Sequence, residues 1–220
     1  RKLNYMKNLS VAVVDYDCGN LHSASKALEL AMKETNLNGS VFLTKDPNKI
    51  KNADKVILPG VGAFKACMGK LKSIDGLQES IEEFALKKGN PLLGICIGLH
   101  LMATRSFEGG EHPGLSFIEG DVVPIPSNSE NIKIPHMGWN EILLKQEHDA
   151  LKGLNKKDFY FVHSYRFKPK NNESTIATTE YGEVFPSALC SGNILGTQFH
   201  PEKSQQTGIK LLKNFLEWCP

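Results

Sequence analysis

The sequence lacks the features of a membrane-spanning, secreted or nucleic-acid-binding chain. No apolar run approaches the roughly 20 residues that a helix needs to cross a bilayer. Residues 1–8 are mostly polar and basic with no long apolar segment behind them, so we expect no secretory signal and interpret them as a flexible N-terminal extension. The formal net charge is only +2 and the lysines are scattered. We therefore predict that neither a membrane nor a nucleic acid is a partner.

Cysteine is present, but in no structural pattern. The chain has five cysteines, an odd number, with no C-x-x-C pair. Their spacings match no zinc site, so we predict no metal. A disulfide framework is not expected either, and free thiols are typical of a reducing compartment. We predict a cytoplasmic protein.

The hydrophobic pattern favours one α/β domain over residues 1–220. Strands alternate with helices in the first half, which predicts a largely parallel sheet covered on both faces, and short strands dominate the second half. We therefore predict three layers with a central mixed sheet. The predicted strands are Leu9–Val14, Ser40–Leu43, Lys55–Leu58, Pro91–Ile95, Asp121–Pro124, Glu141–Leu144, Phe159–Val162, Thr175–Thr179, Ser187–Cys190 and Asn193–Phe199. The predicted helices are Ser23–Met32 with Ser23 as its cap, Ala63–Leu71, Leu77–Lys87, one beginning at Gly98–Ala103, and Gln206–Trp218.

The pentapeptide G-I-C-I-G at residues 94–98 follows a buried strand and indicates a nucleophile elbow. Such a turn strains the central residue and exposes its side chain at the edge of the sheet, and the flanking glycines remove Cβ atoms that would clash. The following helix N-terminus favours a thiolate at Cys96. An ordinary buried cysteine is the competing interpretation, and it fits the pentapeptide alone equally well.

The segment G-T-Q-F-H-P-E-K-S at residues 196–204 supplies a second chemical signal. Residues two apart in an extended segment project to the same side, so His200 and Glu202 are predicted to face one site. A nucleophilic thiol needs a base, and the base needs an acceptor that orients it. The alternative is a His-Pro-Glu turn that only ends a strand.

The third signal is P-G-V-G-A-F at residues 59–64, directly after a buried strand. Its glycines permit unusual peptide orientations. Backbone N–H groups at Val61 and Gly62, with that of Ile97, are candidates for an oxyanion hole. A plain strand-to-helix turn or a weak phosphate-binding loop is favoured if this segment is considered alone.

Together these segments resemble class I, triad-type glutamine amidotransferases. Three further strings, at residues 15–23, 135–140 (P-H-M-G-W-N) and 160–165, resemble the glutaminase subunits of imidazole glycerol phosphate synthases. The resemblance extends from about Val11 to Pro220. The P-H-M-G-W-N string is far more specific than the catalytic motifs, which all class I amidotransferases share.

The resemblance implies a fold, an activity and a partner. The fold is the three-layer α/β fold of class I glutamine amidotransferases, with a nucleophile elbow. The activity is hydrolysis of L-glutamine to glutamate and ammonia without a cofactor. Ammonia passes to a separate (β/α)₈-barrel cyclase subunit in a heterodimer. The cyclase converts a phosphoribulosyl-formimino carboxamide nucleotide (PRFAR) to imidazole glycerol phosphate and an aminoimidazole carboxamide ribotide (AICAR) in histidine biosynthesis.

The resemblance also assigns residues. Cys96, His200 and Glu202 match the catalytic triad, and Val61, Gly62 and Ile97 match the oxyanion hole. The positions matched to substrate binding are Gly60, His100, Glu108, Ser164 and Tyr165. Those matched to the partner interface are His136, Met137, Trp139, Asn140, Tyr160 and Lys203, with His136 and Trp139 expected in a loop.

Two positions depart from the family pattern. His100 stands where the family commonly has a glutamine that holds the substrate, and Asp17 stands where glycine is more frequent. An imidazole still donates a hydrogen bond, so the substrate role of His100 is kept as an expectation with altered geometry.

Other interpretations remain open from sequence. The same fold serves amidotransferases with other acceptors, and a related fold serves cysteine peptidases, against which the His-x-Glu pair and the P-H-M-G-W-N string argue. An inactive scaffold role is disfavoured by the intact triad. A catalytic role for His163 is disfavoured because His200 already supplies the base, so we predict a structural or interface role for His163.

Overall fold

Two β-sheets form the framework of the computed structural model, which describes residues 8–127 and 132–220. Residues 1–7 of the predicted extension lie outside the described residues. The strands are β1 Leu9–Val14, β2 Gly39–Thr44, β3 Lys55–Leu58, β4 Leu92–Ile95, β5 Arg105–Ser106, β6 His112–Pro113, β7 Gly120–Pro124, β8 His136–Leu144, β9 Lys157–His163, β10 Tyr165–Pro169, β11 Thr175–Tyr181, β12 Glu183–Ser191 and β13 Ile194–Thr197. The α-helices are α1 Leu21–Lys33, α2 Pro47–Lys51, α3 Phe64–Ser73, α4 Leu77–Glu82, α5 Ile97–Leu101 and α6 Gln205–Glu217.

The larger sheet has nine strands in the order β2-β1-β3-β4-β13-β12-β11-β8-β9. Parallel pairs join β2, β1, β3, β4 and β13, and antiparallel pairs join the remaining strands. The predicted mixed sheet is therefore confirmed. Strand β7, which was predicted, belongs instead to a second sheet with the order β10-β7-β5-β6.

Helices cover both faces of the parallel half, as predicted. Helices α1 and α6 contact each other, whereas α2, α3, α4 and α5 form a second connected group. Every residue of β3, β4 and β13 is buried, because an apolar strand between two helical layers has no solvent face. Across the two described ranges, we find no helix with the length and apolar character required to cross a membrane.

Three predicted elements differ from the structure. Helix α1 begins at Leu21 and its cap is Asn20, whose side-chain oxygen accepts a 3.3 Å hydrogen bond from the backbone N–H of Ser23. The predicted helix 77–87 divides into α4 and a π-helical turn, Glu83–Lys87. The P-H-M-G-W-N string was expected in a loop. Most of it is strand β8, because its backbone pairs with β9 from His136 opposite His163 to Ile142 opposite Lys157.

Candidate active site

Cys96 lies on a strained turn between β4 and α5. Its backbone has φ 53° and ψ −107°, a conformation that side chains rarely adopt. A Cβ atom at Gly94 would lie 2.9 Å from the carbonyl carbon and oxygen of Gly98, and one at Gly98 would lie 1.8 Å from the carbonyl oxygen of Leu58. Both glycines are therefore required sterically, and the predicted nucleophile elbow is present.

A cavity of about 720 Å³ opens beside this turn. It brings together residues that the sequence separates by more than a hundred positions, among them Cys96 and His200. The predicted site residues that line it are Val61, Gly62, Cys96, Ile97, His100, Glu108, Ser164, Tyr165, His200 and Lys203. Lining residues that were not predicted as site residues are Gly19, Asn20, Pro135, Val162 and His163.

His200 and Glu202 are paired as predicted, although not for the predicted reason. Nδ1 of His200 lies 2.7 Å from Oε1 of Glu202, and the two side chains are 1% and 4% exposed. Strand β13 ends at Thr197, and the pair spans the start of a 3-10 turn, Pro201–Lys203, rather than an extended segment. With Nδ1 held by the carboxylate, Nε2 is the ring nitrogen left for chemistry, and it has no hydrogen-bond partner among the described residues.

The electrostatic surroundings favour a charged imidazole at His200. Burial lowers the pKa of His200, but the negative charge of Cys96 and the carboxylate of Glu202 outweigh it, and the pKa rises to about 10. A thiolate and an imidazolium stabilise each other in this way because each charged form attracts the other. The cavity thus holds a candidate nucleophile beside a candidate proton donor.

The loop that follows β3 is held by two side chains. The hydroxyl of buried Tyr16 donates to the carbonyl of Pro59, and the thiol of Cys67 donates to the carbonyl of Val61 over 3.4 Å. Gly62 has φ 111°, which favours glycine. Two peptide carbonyls are thereby fixed, the second of them only by a weak thiol hydrogen bond.

Two of the residues predicted to bind substrate have different surroundings. Oε2 of Glu108 accepts a 2.9 Å hydrogen bond from the backbone N–H of Phe64, so this carboxylate both lines the cavity and holds the start of α3. Gly60, by contrast, is buried and is not among the residues that line the cavity. A Cβ atom there would lie 2.8 Å from the backbone nitrogen of Gly98, so Gly60 permits the close packing of the loop against the elbow.

The backbone conformation of Asp17 explains why the family more often has glycine at this position. Its backbone has φ 59°, the left-handed conformation for which glycine is the usual residue. Aspartate tolerates this conformation better than most residues. Its carbonyl accepts a 2.7 Å hydrogen bond from Nζ of Lys70, which helps to hold the turn.

Gln198 is a residue of the site that sequence reasoning missed. Its side chain is fully buried, with Oε1 2.8 Å from Nε2 of His100 and Nε2 3.8 Å from Sγ of Cys96. Gln198 follows the end of β13 at Thr197, and no local signal in the sequence shows that His100 lies opposite it. Burial lowers the pKa of His100 to about 4, so its ring is neutral.

His163 and His136 form a hydrogen-bonded chain beneath the cavity. The carbonyl of Tyr165 can only accept, so Nδ1 of His163 donates to it over 2.8 Å. Nε2 of His163 then accepts from Nδ1 of His136 at 2.8 Å. Nε2 of His136 in turn accepts from the amide of Asn140 at 3.2 Å. Both rings must be neutral for this order of donors, which gives His163 the structural role predicted for it.

The neutral His163 makes the stability of the fold sensitive to acid. Burial, chiefly, lowers the pKa of His163 to about 3, whereas an unfolded histidine binds its proton near pH 6.5. The unfolded chain therefore gains a proton first as the pH falls, so the stabilising contribution present above pH 6.5 is lost below it. We expect His163→Gln to reduce the loss of unfolding free energy between pH 7.5 and pH 5 by about 2 kcal/mol.

Urea unfolding at the two pH values measures this difference. His22→Gln, at an exposed position of α1, is the matched control for the removal of a histidine. Equal pH dependence in wild type and His163→Gln would contradict the prediction.

The residues predicted at a partner interface fall into two groups. Met137 and Trp139 are 61% and 49% exposed, and Trp139 packs edge-on to Tyr160 with ring centroids 6.2 Å apart. Nζ of Lys203 lies 6.0 Å from the centre of the Tyr160 ring, so these side chains form one surface beside the cavity.

His136 does not belong to this surface, because its side chain is 3% exposed and stacks on Tyr181. The predicted partner contact is therefore not supported for that side chain, and Asn140 is half-buried against it.

No group of three or more histidine, cysteine or acidic side chains within the described ranges has the arrangement of a metal site. All five cysteines are free thiols. The predicted absence of a metal and of a cofactor stays a prediction.

One known protein family covers nearly the whole chain. The sequence profile of the family described as glutamine amidotransferase class-I matches residues 14–218. The chain belongs to this family. The class I glutamine amidotransferase resemblance inferred from the three motifs is thereby confirmed, and so is its α/β fold.

Relatives within the family carry a more specific name. The imidazole glycerol phosphate synthase subunit HisH of Cereibacter sphaeroides is 45% identical to this chain, and the match covers 94% of this chain and 98% of the relative. The proteins of the same name from Rhodospirillum rubrum and Zymomonas mobilis are each 44% identical to this chain. They are matched over their whole length, and the matches cover 96% and 98% of this chain, respectively. These matches confirm the second, narrower resemblance.

Solved structures agree on the fold. A crystal structure of a glutamine amidotransferase superposes with a TM-score of 0.70 at 18% identity, over 94% of this chain and 97% of its own. A glutamine amidotransferase from Thermotoga maritima superposes with a TM-score of 0.60 at 20% identity, over 91% of this chain and 79% of its own. At this identity the likeness concerns the fold alone.

Proposed function

We propose that the protein is the glutaminase subunit of an imidazole glycerol phosphate synthase. One observation carries the proposal: a cysteine on a nucleophile elbow shares a cavity with a histidine that a buried glutamate orients. The family is that of glutamine amidotransferases, and the similar proteins are named as subunits of this synthase. The substrate of the cavity is then L-glutamine.

In the proposed mechanism the thiolate of Cys96 attacks the carboxamide carbon of glutamine. Backbone N–H groups of the Val61–Gly62 loop and of Ile97 hold the oxyanion. Protonated His200 gives its proton to the departing ammonia and then activates the water that hydrolyses the glutamyl thioester. The roles of Glu202, 2.7 Å from the ring, are to fix its tautomer and to stabilise its charge.

The remaining cavity residues fit the ends of the substrate. Glu108 is a carboxylate that lines the cavity, suited to the α-ammonium group of glutamine. Ser164 and Tyr165 line the cavity where β9 ends and β10 begins, and their backbone is the proposed cradle of the α-carboxylate.

The proposed partner is a (β/α)₈-barrel cyclase, to which ammonia passes. The surface formed by Met137, Trp139, Tyr160 and Lys203 is the proposed contact, because Met137 and Trp139 are exposed, the surface is partly aromatic and Lys203 lines the cavity. Exposed aromatic groups of this kind are enriched at protein interfaces. Histidine biosynthesis in the cytoplasm is the corresponding setting.

We expect the isolated chain to show low glutaminase activity and the partner together with PRFAR to stimulate it strongly. Within the described part of the chain, the carbonyl of Val61 is held by the thiol of Cys67 at 3.4 Å, a weak bond that a peptide flip would break easily. Ammonia that is produced without an acceptor is lost. Control of the oxyanion loop by the partner would limit glutamine hydrolysis to the complex in which the acceptor is bound.

Glutamate release is the measurement, with the chain alone, with the cyclase, and with the cyclase plus PRFAR. Stimulation accompanied by formation of imidazole glycerol phosphate supports both the reaction and the partner. Equal turnover in all three mixtures would contradict partner control. Glutamate release without conversion of PRFAR would favour an amidotransferase for another acceptor, and peptide hydrolysis in a parallel assay would favour a peptidase.

A further inference from the structure

A buried amide stands between His100 and the thiol of Cys96. Oε1 of Gln198 lies 2.8 Å from Nε2 of His100, and its amide nitrogen lies 3.8 Å from Sγ of Cys96. The His100 and Gln198 side chains are 1% and 0% exposed, so water does not compete for either bond. These are the hydrogen bonds that the Gln198 side chain makes within residues 8–127 and 132–220.

We propose that His100 is a positioning residue that fixes the Gln198 amide so that its N–H group points at the Cys96 sulfur and stabilises the thiolate. The proposal rests on the role of Cys96 as nucleophile. It assigns His100 a task other than contact with the substrate, and it adds Gln198 to the residues that control the reaction.

The direction of the Gln198 amide follows from donor and acceptor chemistry. A thiolate only accepts hydrogen bonds, so the end of the amide that faces it must be the NH₂ group. The amide oxygen then faces His100, whose Nε2 must carry the proton that it donates. A neutral histidine with the proton on Nε2 satisfies this arrangement, and burial keeps this ring neutral.

The unpaired nitrogen of His100 supports a functional reason for the residue. Nδ1 of His100 is buried and has no hydrogen-bond partner in the described part of the chain. A buried polar atom without a partner disfavours the folded state, and an apolar side chain of similar size would avoid this cost. The hydrogen bond to Gln198 is the interaction that an imidazole provides at this position and an apolar side chain does not.

The second neighbour of the thiol explains why the amide matters. Sγ of Cys96 lies 3.9 Å from the carbonyl oxygen of Val162, which accepts from a neutral thiol but repels a thiolate. The Gln198 amide has the opposite preference, because it donates. Free rotation of the amide would allow its oxygen to face the sulfur and would shift the balance toward the neutral thiol.

Thiol alkylation in the isolated chain tests the inference without glutamine. The rate of modification of Cys96 by iodoacetamide is measured from pH 5 to pH 10 by mass spectrometry of the Cys96 peptide. Exposed Cys219 in the same sample serves as the internal reference. The variants are His100→Leu, His100→Gln, Gln198→Leu and the double variant His100→Leu/Gln198→Leu.

We expect His100→Leu to move the half-maximal rate of Cys96 alkylation upward by about 0.7 pH unit, and hence to slow alkylation by about five-fold at pH values well below that midpoint, since the thiolate is the reactive form. His100→Gln keeps an amide donor for Gln198 and should return the profile to near that of wild type. The double variant should show no larger effect than Gln198→Leu alone, because both changes remove the same hydrogen bond to sulfur.

A wild-type profile in His100→Leu, or effects that multiply in the double variant, would overturn the proposal. So would faster alkylation at every pH without a shift, which is the result expected if the variant only loosens the fold. The readout is thiol reactivity, so failure here is distinguishable from failure of the proposed glutaminase function, which the cyclase assay tests.

Discussion

Replacing Cys96 by alanine is expected to lower glutamine hydrolysis at least ~1000-fold in the presence of cyclase and PRFAR. The covalent thioester cannot form without the sulfur, and the described cavity offers no second thiol among its lining residues. Glutamate release measures the loss. Cys190→Ala is the matched control, because Cys190 lies on β12 and does not line the cavity.

Two further measurements separate chemistry from folding in this variant. Ammonium salt supplied directly to the complex of Cys96→Ala with cyclase should restore imidazole glycerol phosphate formation, because only the source of ammonia has been removed. Cys96→Gly should be equally inactive yet more stable than Cys96→Ala by about 1 kcal/mol, because φ 53° strains any residue with a Cβ atom. Glutaminase activity that survives in either variant would contradict the assignment of the nucleophile.

Gly98→Ala is expected to destabilise the fold by at least about 3 kcal/mol and to abolish glutamine hydrolysis. The new Cβ atom would lie 1.8 Å from the carbonyl oxygen of Leu58 and 2.9 Å from the carbonyl carbon of the same residue. Both contacts are with backbone, which cannot rotate away. Strand β3 and the oxyanion loop would have to separate from the elbow, so the site would lose its geometry even in molecules that fold.

Gly69→Ala is the matched control, since no atom lies within 4 Å of a Cβ atom placed there and the residue is exposed on α3. In that helix alanine is favoured over glycine, and a gain of about 0.5–1 kcal/mol is expected. Urea unfolding of both variants measures the contrast. A Gly98→Ala protein with wild-type stability and activity would show that the elbow does not need the close approach of β3.

The family resemblance and the candidate reactive residues could be predicted from the sequence without the structure. The pentapeptide around Cys96, the His200 segment and the glycine loop each carry a residue type that only certain reactions need, and each directly follows a predicted strand. The parallel strands β3, β4 and β13 present their carboxyl ends at one edge of the sheet, and Cys96 and His200 share one cavity there.

Other features depended on neighbours that local patterns do not encode. The P-H-M-G-W-N string was predicted to be a loop with exposed aromatic residues, but pairing with β9 makes most of it a strand, and His136 is buried. Gln198 was passed over because nothing local shows that the residue opposite it is His100, 98 positions earlier. Asn20 caps α1 three residues before the predicted cap, Ser23, because helix ends are the least certain part of a prediction from sequence.

The sequence by itself determined which side chains can take part in the reaction. A nucleophile, a base and a glycine at a position with no room for a Cβ atom are each recognised from the type of a single residue. Only the tertiary structure decided how those side chains are hydrogen-bonded and which protonation states they adopt. The hydrogen-bond direction along His100, Gln198 and Cys96, the neutral pair of His136 and His163, and the weak thiol bond on the Val61 carbonyl arise from groups brought together by packing. The first two depend on burial, which removes the water that would otherwise satisfy these groups independently.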